Sequence, residues 1–394
     1  MHVVKRYPDA PGGDAYVVRG LEREQLAAGH HVVVVTSRNA LIRDASHVIK
    51  FGLPLTDEAI DAINLRRILT MIALTVRAFP LLRWTRPDVI HVHTTDLGWS
   101  LRLAARRYRI PCVITLHGTT IGKRSTPMPK RLLEGALLRS GGYSRIITMD
   151  PSTMPALSRL GVGDRLDYIP NGIDPADVVT VPEDAGPPPA AAPPTVLFAG
   201  RLEAVKGVDV LLIAFAAVLR DHPTARLLLA GSGSRRAELE TATAELGITG
   251  SVRFVGVQAR DELSTLYRAA TLFVLPSLHE GFPMVLLEAW AHGTPVVTTS
   301  VGAVPDVCVS GVDTMVVPPG EADDLAAAIG RLLGDSELAA RIGAGGRRRL
   351  ASGEFTPGAV AGRVQGVYDE VVATGDGILP GRRRLPWKAS RNAV

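Results

Sequence analysis

Only two cysteines occur in the 394 residues, Cys112 and Cys308, one in each half and each inside an apolar stretch. A disulfide framework is thereby excluded. Neither thiol has a metal-ligand partner at short spacing, so both read as reduced core residues of a cytoplasmic protein. Long apolar runs are missing as well. The most apolar, Ile68–Val76, spans nine residues before Arg77 and Pro80 interrupt it, far short of the roughly 20 that cross a bilayer. No secretory leader is expected at the start. There is no Asp-x-Asp metal pattern, no nucleophile elbow and no Ser-His-Asp arrangement, which leaves no reading as a serine hydrolase. Lysine is scarce too, six against 38 arginines, a mark of GC-rich coding rather than of function.

What is present is a globular balance, 46% apolar and 21% charged, on a chain long enough for two domains. The net charge of +5 is small but unevenly placed. Residues 1–180 sum to +8 and residues 181–377 to −8, while 378–394 carry Arg382, Arg383, Arg384, Lys388 and Arg391 without an acid. A general nucleic-acid binder would show a clustered basic face with a motif behind it, and this chain does not. A basic half that touches an anionic surface or ligand remains open.

Short β-branched runs alternate with helix-period segments, the pattern of parallel α/β units. Strands are expected at His2–Val4, His31–Thr36, Asp88–His93, Cys112–Leu116, Arg145–Met149 and Leu166–Ile169. Helical periods fall at Tyr16–Ala28, Glu58–Arg83, Ser100–Arg107, Lys130–Leu138 and Ser152–Leu160. Pro182–Pro194 then holds six prolines in thirteen residues, a linker that neither a helix nor a strand interior accommodates. After it come strands at Thr195–Ala199, Ala225–Ala230, Ser251–Val255, Thr271–Leu275, Thr294–Thr298 and Thr314–Val317. Helices alternate with them at Gly207–Arg220, Arg235–Leu246, Arg260–Ala269, Pro283–Ala291 and Ala322–Leu333, and Phe355–Ala373 closes the series. Two doubly wound domains follow, with ligands beyond the carboxyl ends of their strands, in the cleft between them.

The strongest chemical signal is His279–Glu288, HEGFPMVLLE, after the strand Thr271–Leu275. Gly281 and Pro283 mark a tight loop into a helix, where the helix dipole offers an anion site. Glu280 and Glu288, eight residues apart, are expected on one helix face, suited to sugar and ribose hydroxyls. The plain alternative makes Glu280 an N-terminal charge and Glu288 a solvated residue, but Glu288 sits among Leu286, Leu287, Ala289 and Trp290. A second signal is Gly200-Arg201-Leu202-Glu203-Ala204-Val205-Lys206-Gly207. Cations are disfavoured at a helix start, so Arg201 and Lys206 there point to a diphosphate rather than to casual surface charge. Gly12-Gly13 permits close backbone approach to a ligand, though such loops are more often only turns. Gly231-Ser232-Gly233-Ser234 fails the dinucleotide fingerprint, since Arg236 stands where the third small residue belongs, and reads as a turn lining a nucleotide pocket. His91, His93 and His117 lack a carboxylate or cysteine at ligand spacing, so no metal is expected. His91 reads as structural, while His93 and His117, at strand carboxyl ends, divide evenly between structural and ligand-facing roles.

Together these residues resemble the retaining, GT-B-fold glycosyltransferases of family 4 over nearly the whole chain. The resemblance runs through Tyr7-Pro8 with Gly12-Gly13, Ala28–Val32, Asp88–His93, His117-Gly118, Ile169–Asp174, Gly200–Gly207 and Glu280 with Glu288. It implies an acceptor-binding Rossmann-like domain over 1–178, the linker over 179–194 and a nucleotide-sugar domain over 195–354. A helix over 355–374 returns to the first domain or stays with the second, and a basic, disordered tail covers 375–394. The family's site would use Arg201 and Lys206 on the donor diphosphate, Glu288 on the ribose and Glu280 on the sugar. The backbone of Gly281, Phe282 and Pro283 would assist, Arg253–Val257 (with Gly256 and Val257) would wall the base, and Gly12 and Gly13 would close over the phosphates. His117 would lie near the reacting centre. No cofactor and no metal are implied, and the co-substrate would be UDP- or GDP-linked. One departure stands out: members begin with a longer first strand, so either the chain starts late or this strand is a short sheet edge.

Acidic loops in the basic half, Asp9, Asp14, Asp96 and Asp150, suggest with His93 and His117 an acceptor site for a cationic aminocyclitol or amino sugar, as in antibiotic pathways. The alternative is helix capping, common for aspartate at loop starts. Other readings are a membrane-associated transferase acting on a lipid-linked or phosphoinositol acceptor, supported by the basic half and by Glu58–Arg83. A nucleotide-sugar 2-epimerase or a catalytically inert binder shares the architecture.

Overall fold

The computed structural model describes residues 1–4, 13–37, 48–51, 65–121, 126–140, 142–179 and 193–374. Tyr7–Gly12, most of the Pro-rich linker and the basic tail lie outside the described residues. The chain forms two compact units, one holding Met1–Met149, Thr153–Ile169 and the chain from Ala361, the other Asp150–Ser152 and Pro170–Val360.

In the first unit the elements are β1 (His2–Val4), α1 (Gly13–Ala27), β2 (Val34–Ser37), β3 (Val48–Phe51), α2 (Leu65–Thr85), β4 (Ile90–Val92), α3 (Thr95–Tyr108), β5 (Cys112–Leu116), α4 (Met128–Ser140), β6 (Arg145–Thr148), α5 (Met154–Leu157) and β7 (Leu166–Tyr168). All seven strands are parallel in the order β3-β2-β1-β4-β5-β6-β7. Strands covered on both faces need continuous apolar sequence, and Val3, Val4, Ile90, Val92, Val113 and Ile114 are all fully buried. β1 is therefore an interior strand paired on both sides, which overturns the short-edge reading. Among the described residues the edges are β3 and β7; β3 was unexpected from sequence because its four residues carry too little alternation to register.

The second unit continues with α6 (Pro175–Val178), β8 (Thr195–Ala199), α7 (Val208–Asp221), β9 (Arg226–Ala230), α8 (Arg236–Glu245), β10 (Val252–Gly256), α9 (Arg260–Ala269), β11 (Leu272–Leu275), α10 (Met284–His292), β12 (Val296–Thr299), α11 (Val304–Val307), β13 (Met315–Val317), α12 (Ala322–Gly334) and α13 (Ser336–Ala351). Its sheet is also parallel, ordered β10-β9-β8-β11-β12-β13. Its core joins Val196 and Phe198 of β8 to Leu211, Leu212 and Phe215 of α7 and to Ile329 and Leu332 of α12. α13 was also unexpected, because Gly343, Gly345 and Gly346 weaken a helix by about 1 kcal/mol each relative to alanine. Packing explains them: a Cβ on Gly346 would overlap the Trp290 ring, and one on Gly345 the Val312 carbonyl.

α14 (Pro357–Ala373) starts in the second unit and ends in the first, where Tyr368 bonds His91 and Glu370 pairs with Arg145. α2 runs on through Pro80 to Thr85. It buries Leu74, Ala78 and Leu82, and it exposes Ile72, Val76 and Trp84. Among the described residues no helix is long and apolar enough to cross a membrane.

Candidate functional site

Chain order reverses between β8 and β11, and a doubly wound sheet binds ligands at such a switch. The two loops leaving these strands are Gly200–Gly207 and Pro276–Pro283. They are bound together through backbone: Leu278 and His279 N–H both donate to the Val205 carbonyl, at 2.9 and 3.2 Å. Gly207 turns into α7 at φ 61°, and a Cβ there would strike the Pro276 carbonyl. Only glycine permits both that backbone and that approach.

This contact delivers Lys206 to Glu280. Nζ lies 2.5 Å from Glu280 Oε1, and Ser277 Oγ donates to the same oxygen at 2.7 Å. Both charged side chains are largely buried, 15% and 10% exposed, so each depends on the other. Arg201, in the same loop as Lys206, is exposed, and its charge acts on Glu203. Glu203 reaches the opposite way, accepting from Ser234 N–H at 2.9 Å and Oγ at 2.8 Å. Those two bonds hold its carboxyl below the usual carboxylate range. Gly231 N–H donates to the Gly256 carbonyl at 2.7 Å, and Leu202 N–H to Ser232 O at 2.9 Å. The loops after β8, β9 and β10 are thus joined into one rim, with Gly256 at the end of β10 and Val257 73% exposed beyond it.

Two expectations need correction. α10 begins at Met284 with Pro283 as its N-cap, so Glu280 lies in the loop and helical periodicity cannot bring it onto the face of Glu288. Pro283 also carries no N–H, which leaves the amides of Gly281 and Phe282 as the donors. Glu288 accepts from the Tyr267 hydroxyl of α9 at 3.1 Å. Burial pushes the Glu288 carboxyl up, with Tyr267 and then Arg260 pulling partly back. Burial and the neighbouring carboxylate likewise raise the Tyr267 phenol.

In the first unit the order reverses between β1 and β4. His2 of β1 lies opposite His91 of β4, and His93 follows β4. His2 Nδ1 and His93 Nε2 are 3.2 Å apart, and His93 Nδ1 and half-buried His117 Nε2 are 2.9 Å apart. His2 Nε2 meets Gln25 Oε1 at 2.8 Å, while His91 bonds Tyr368 Oη at 2.5 Å and Thr115 Oγ1 at 2.7 Å. Burial pulls the His2 pKa down to about 4. It lowers His91 and His93 well below the ordinary value too, and neighbouring imidazoles add to the effect. Ring nitrogens of His2, His91 and His93 lie within 4.8 Å of one another, a spacing a cation could bridge, but all six are spent in the hydrogen bonds just given.

The loop after His117 is held by Glu134 of α4, which accepts from Thr119 Oγ1 at 2.8 Å and Thr120 N–H at 2.7 Å. Asp96 is buried in the first turn of α3, with Oδ1 3.0 Å from Leu97 N. Asp150 is buried and accepts from Ser152 N–H at 3.1 Å and Oγ at 2.5 Å. Asp150 thereby caps the short turn Pro151–Thr153, the role that was its alternative, whereas Asp96 lies within the first turn of α3, past the N-cap Thr94. Asp9 and Gly12 lie outside the described residues, Gly13 opens α1, and the Asp14 side chain is not described. His2, Gln25, Glu134, Tyr267 and Ser277 were not anticipated. Apart from Ser277, which bonds Glu280 within one loop, their contacts cross between elements, and the only advance sign was the His-x-His alternation on β4. A cavity of about 500 Å³ opens at the opposite, amino-terminal edge of this sheet, between Met1, Val33, Asp88 and Tyr368.

Residues 183–349 match the family described as glycosyl transferases group 1, and residues 11–177 that described as glycosyltransferase family 4. A D-inositol 3-phosphate glycosyltransferase from Segniliparus rotundus is 30% identical over 327 residues, covering 78% of this chain and 70% of that protein. A glycogen synthase from Mycobacterium tuberculosis is 33% identical over 275 residues, 68% of this chain. The chain spans 65% of that synthase's length, just under two thirds. Sucrose-phosphate synthase from Thermosynechococcus elongatus superimposes with a TM-score of 0.75 at 25% identity, covering 95% of this chain and 99% of the other, so the fold is GT-B.

Proposed function

The chain belongs to the group 1, family 4 glycosyltransferases, and on that premise we propose that it moves a sugar from a nucleoside diphosphate sugar to an acceptor hydroxyl with retention of configuration. The observation that carries this reading is the Lys206–Glu280 pair at the β8/β11 switch, with Arg201 on the same loop as Lys206. In the reaction the bond from the anomeric carbon to the diphosphate oxygen breaks. A bond to the acceptor oxygen forms on the same face, and the hydroxyl proton leaves with the nucleoside diphosphate. Arg201, Lys206 and the amino end of α10 offset the charge that builds on the leaving group, without a metal. Glu280 takes a sugar hydroxyl, Glu288 the ribose, and Gly256 with Val257 flanks a uracil or guanine base. Gly12 and Gly13 cover the phosphates, and His117 serves the reacting centre.

For the acceptor we propose a small cyclitol, the chemical class of the inositol phosphate named for the Segniliparus relative. A cationic aminocyclitol has less support, because Asp150 already caps a helical turn and Asp96 is buried with Oδ1 on the Leu97 N–H. The test is nucleoside diphosphate release from UDP-, GDP- and ADP-sugars, with D-inositol 3-phosphate, an aminocyclitol or a maltooligosaccharide, in EDTA. Release should require acceptor and give a product of unchanged anomeric configuration. Epimerised donor without acceptor would make the chain an epimerase, and nucleotide bound but never released would make it a binder.

A lipid-linked acceptor is the second reading. It is favoured by α2, whose Ile72, Val76 and Trp84 are 54%, 70% and 77% exposed near Arg77 and Arg83. Sedimentation with anionic vesicles, reduced in Trp84→Ala, is the expected result. Equal recovery with neutral vesicles would remove this reading.

A further inference from the structure

We propose that Gln25, acting through His2 and His93, fixes the tautomer of His117, making these three side chains positioning residues for that imidazole. The inference deepens the proposed function, since it concerns how His117 is presented. An amide oxygen only accepts, so Gln25 Oε1, 2.8 Å from His2 Nε2, requires the proton of His2 to sit on Nε2. A neutral His2 then offers only a lone pair at Nδ1, and His93 Nε2–H must donate to it across 3.2 Å. Neutral His93 in turn accepts at Nδ1 from His117 Nε2–H, 2.9 Å away. The proton positions therefore propagate in one direction, and neutral His117 keeps Nδ1 as its acceptor nitrogen.

The premise of neutrality rests on burial: Gln25, His2 and His93 are each at most 6% exposed, and charging one imidazole would place it against the next. His91 lies beside the relay, and its partner Tyr368 also faces the Gln25 amide. His91 stacks on His93 with centroids 4.3 Å apart but gives its nitrogens to Tyr368 and Thr115. Turning the Gln25 amide by half a rotation would present a donor to His2 and reverse every bond, so that His117 would carry its proton on Nδ1. The amide of Gln25 on α1, two imidazoles removed from His117, thus decides whether His117 Nδ1 accepts from a sugar hydroxyl or donates to one.

The experiment is a two-bond ¹H–¹⁵N correlation spectrum of the full chain labelled with ¹⁵N-histidine at pH 8. His117 is assigned by its loss in His117→Asn. In the unmodified protein His2, His93 and His117 should all show the Nε2–H pattern; an Nδ1–H pattern or an imidazolium at His117 overturns the relay before any variant is made. In Gln25→Met the His117 signals should move toward a mixture of tautomers, whereas Thr115→Val, which removes the bond to His91 Nε2, should leave them in place. Unchanged His117 signals in Gln25→Met would also overturn the relay. With an active donor and acceptor, Gln25→Met should lower kcat roughly five- to tenfold, the share of one hydrogen bond, at unchanged donor KM. A shifted tautomer with unchanged kcat leaves the relay standing and removes His117 from the proposed reaction.

Discussion

Acidifying the protein from pH 7 to pH 5 should destabilise its first unit through the buried imidazoles. An unfolded histidine titrates near 6.5, while folded His2 titrates near 4. Its folded pKa is depressed, so the unfolded chain binds the extra proton. Stability is full above about 6.5 and falls as pH drops toward about 4. At pH 5 the unfolded imidazole is almost wholly protonated and the folded one about a tenth so, which makes the loss since pH 7 about 1.8 kcal/mol for His2 alone. His91 and His93 are shifted the same way and for the same reason. Together the three approach a slope of about 4 kcal/mol per pH unit, against a total stability of about 5–15 kcal/mol for a domain. The assay is proton uptake on unfolding at pH 5.5, from calorimetry in two buffers of different ionisation enthalpy. Replacing His93 by asparagine should reduce the uptake by about one proton. If the uptake is the same in both proteins, His93 is not held neutral in the fold, and the reasoning fails.

Two further outcomes concern the second unit. Lys206→Met leaves the Glu280 carboxylate buried beside Ser277, at a cost of about 3 kcal/mol or a Tm lower by roughly 6–12 °C. Lys206→Met with Glu280→Leu should recover most of that while releasing no nucleoside diphosphate. A double variant that melts no higher than the single one would show that the pair is not interdependent. Glu288 has a raised carboxyl, so the fold retains a proton that the unfolded chain has lost, and it is penalised as pH rises past about 4.5. Glu288→Gln should therefore melt higher than the unmodified chain at pH 7 and equally at pH 4, yet bind nucleotide about tenfold more weakly. A lower Tm at pH 7 would contradict this.

Much of the architecture was legible from hydrophobic pattern because both sheets are parallel and covered on two faces. Such strands read as uninterrupted apolar runs, and His2–Val4, Cys112–Leu116 and Thr195–Ala199 have the same bounds in sequence and structure. β3 and α13 escaped, the first for want of length and the second because its glycines serve contacts with Trp290 and Val312 rather than helix propensity. The site divided along the same line. Arg201, Lys206 and Glu280 could be picked out because they stand at strand ends within short loops, and local chemistry is written in sequence order.

Local sequence thus determined the alternation of strands and helices, the Pro-rich break and the placement of cations where a helix dipole disfavours them. Tertiary structure alone decided which charges meet. The 74 positions between Lys206 and Glu280 close only because β8 and β11 are neighbours across the switch. His2 and His93, 91 positions apart, meet only because β1 pairs with β4. Strand order is set by long-range packing, which no window of sequence contains, so the partners of Glu280, Glu288 and His117 became visible only once the sheets were assembled.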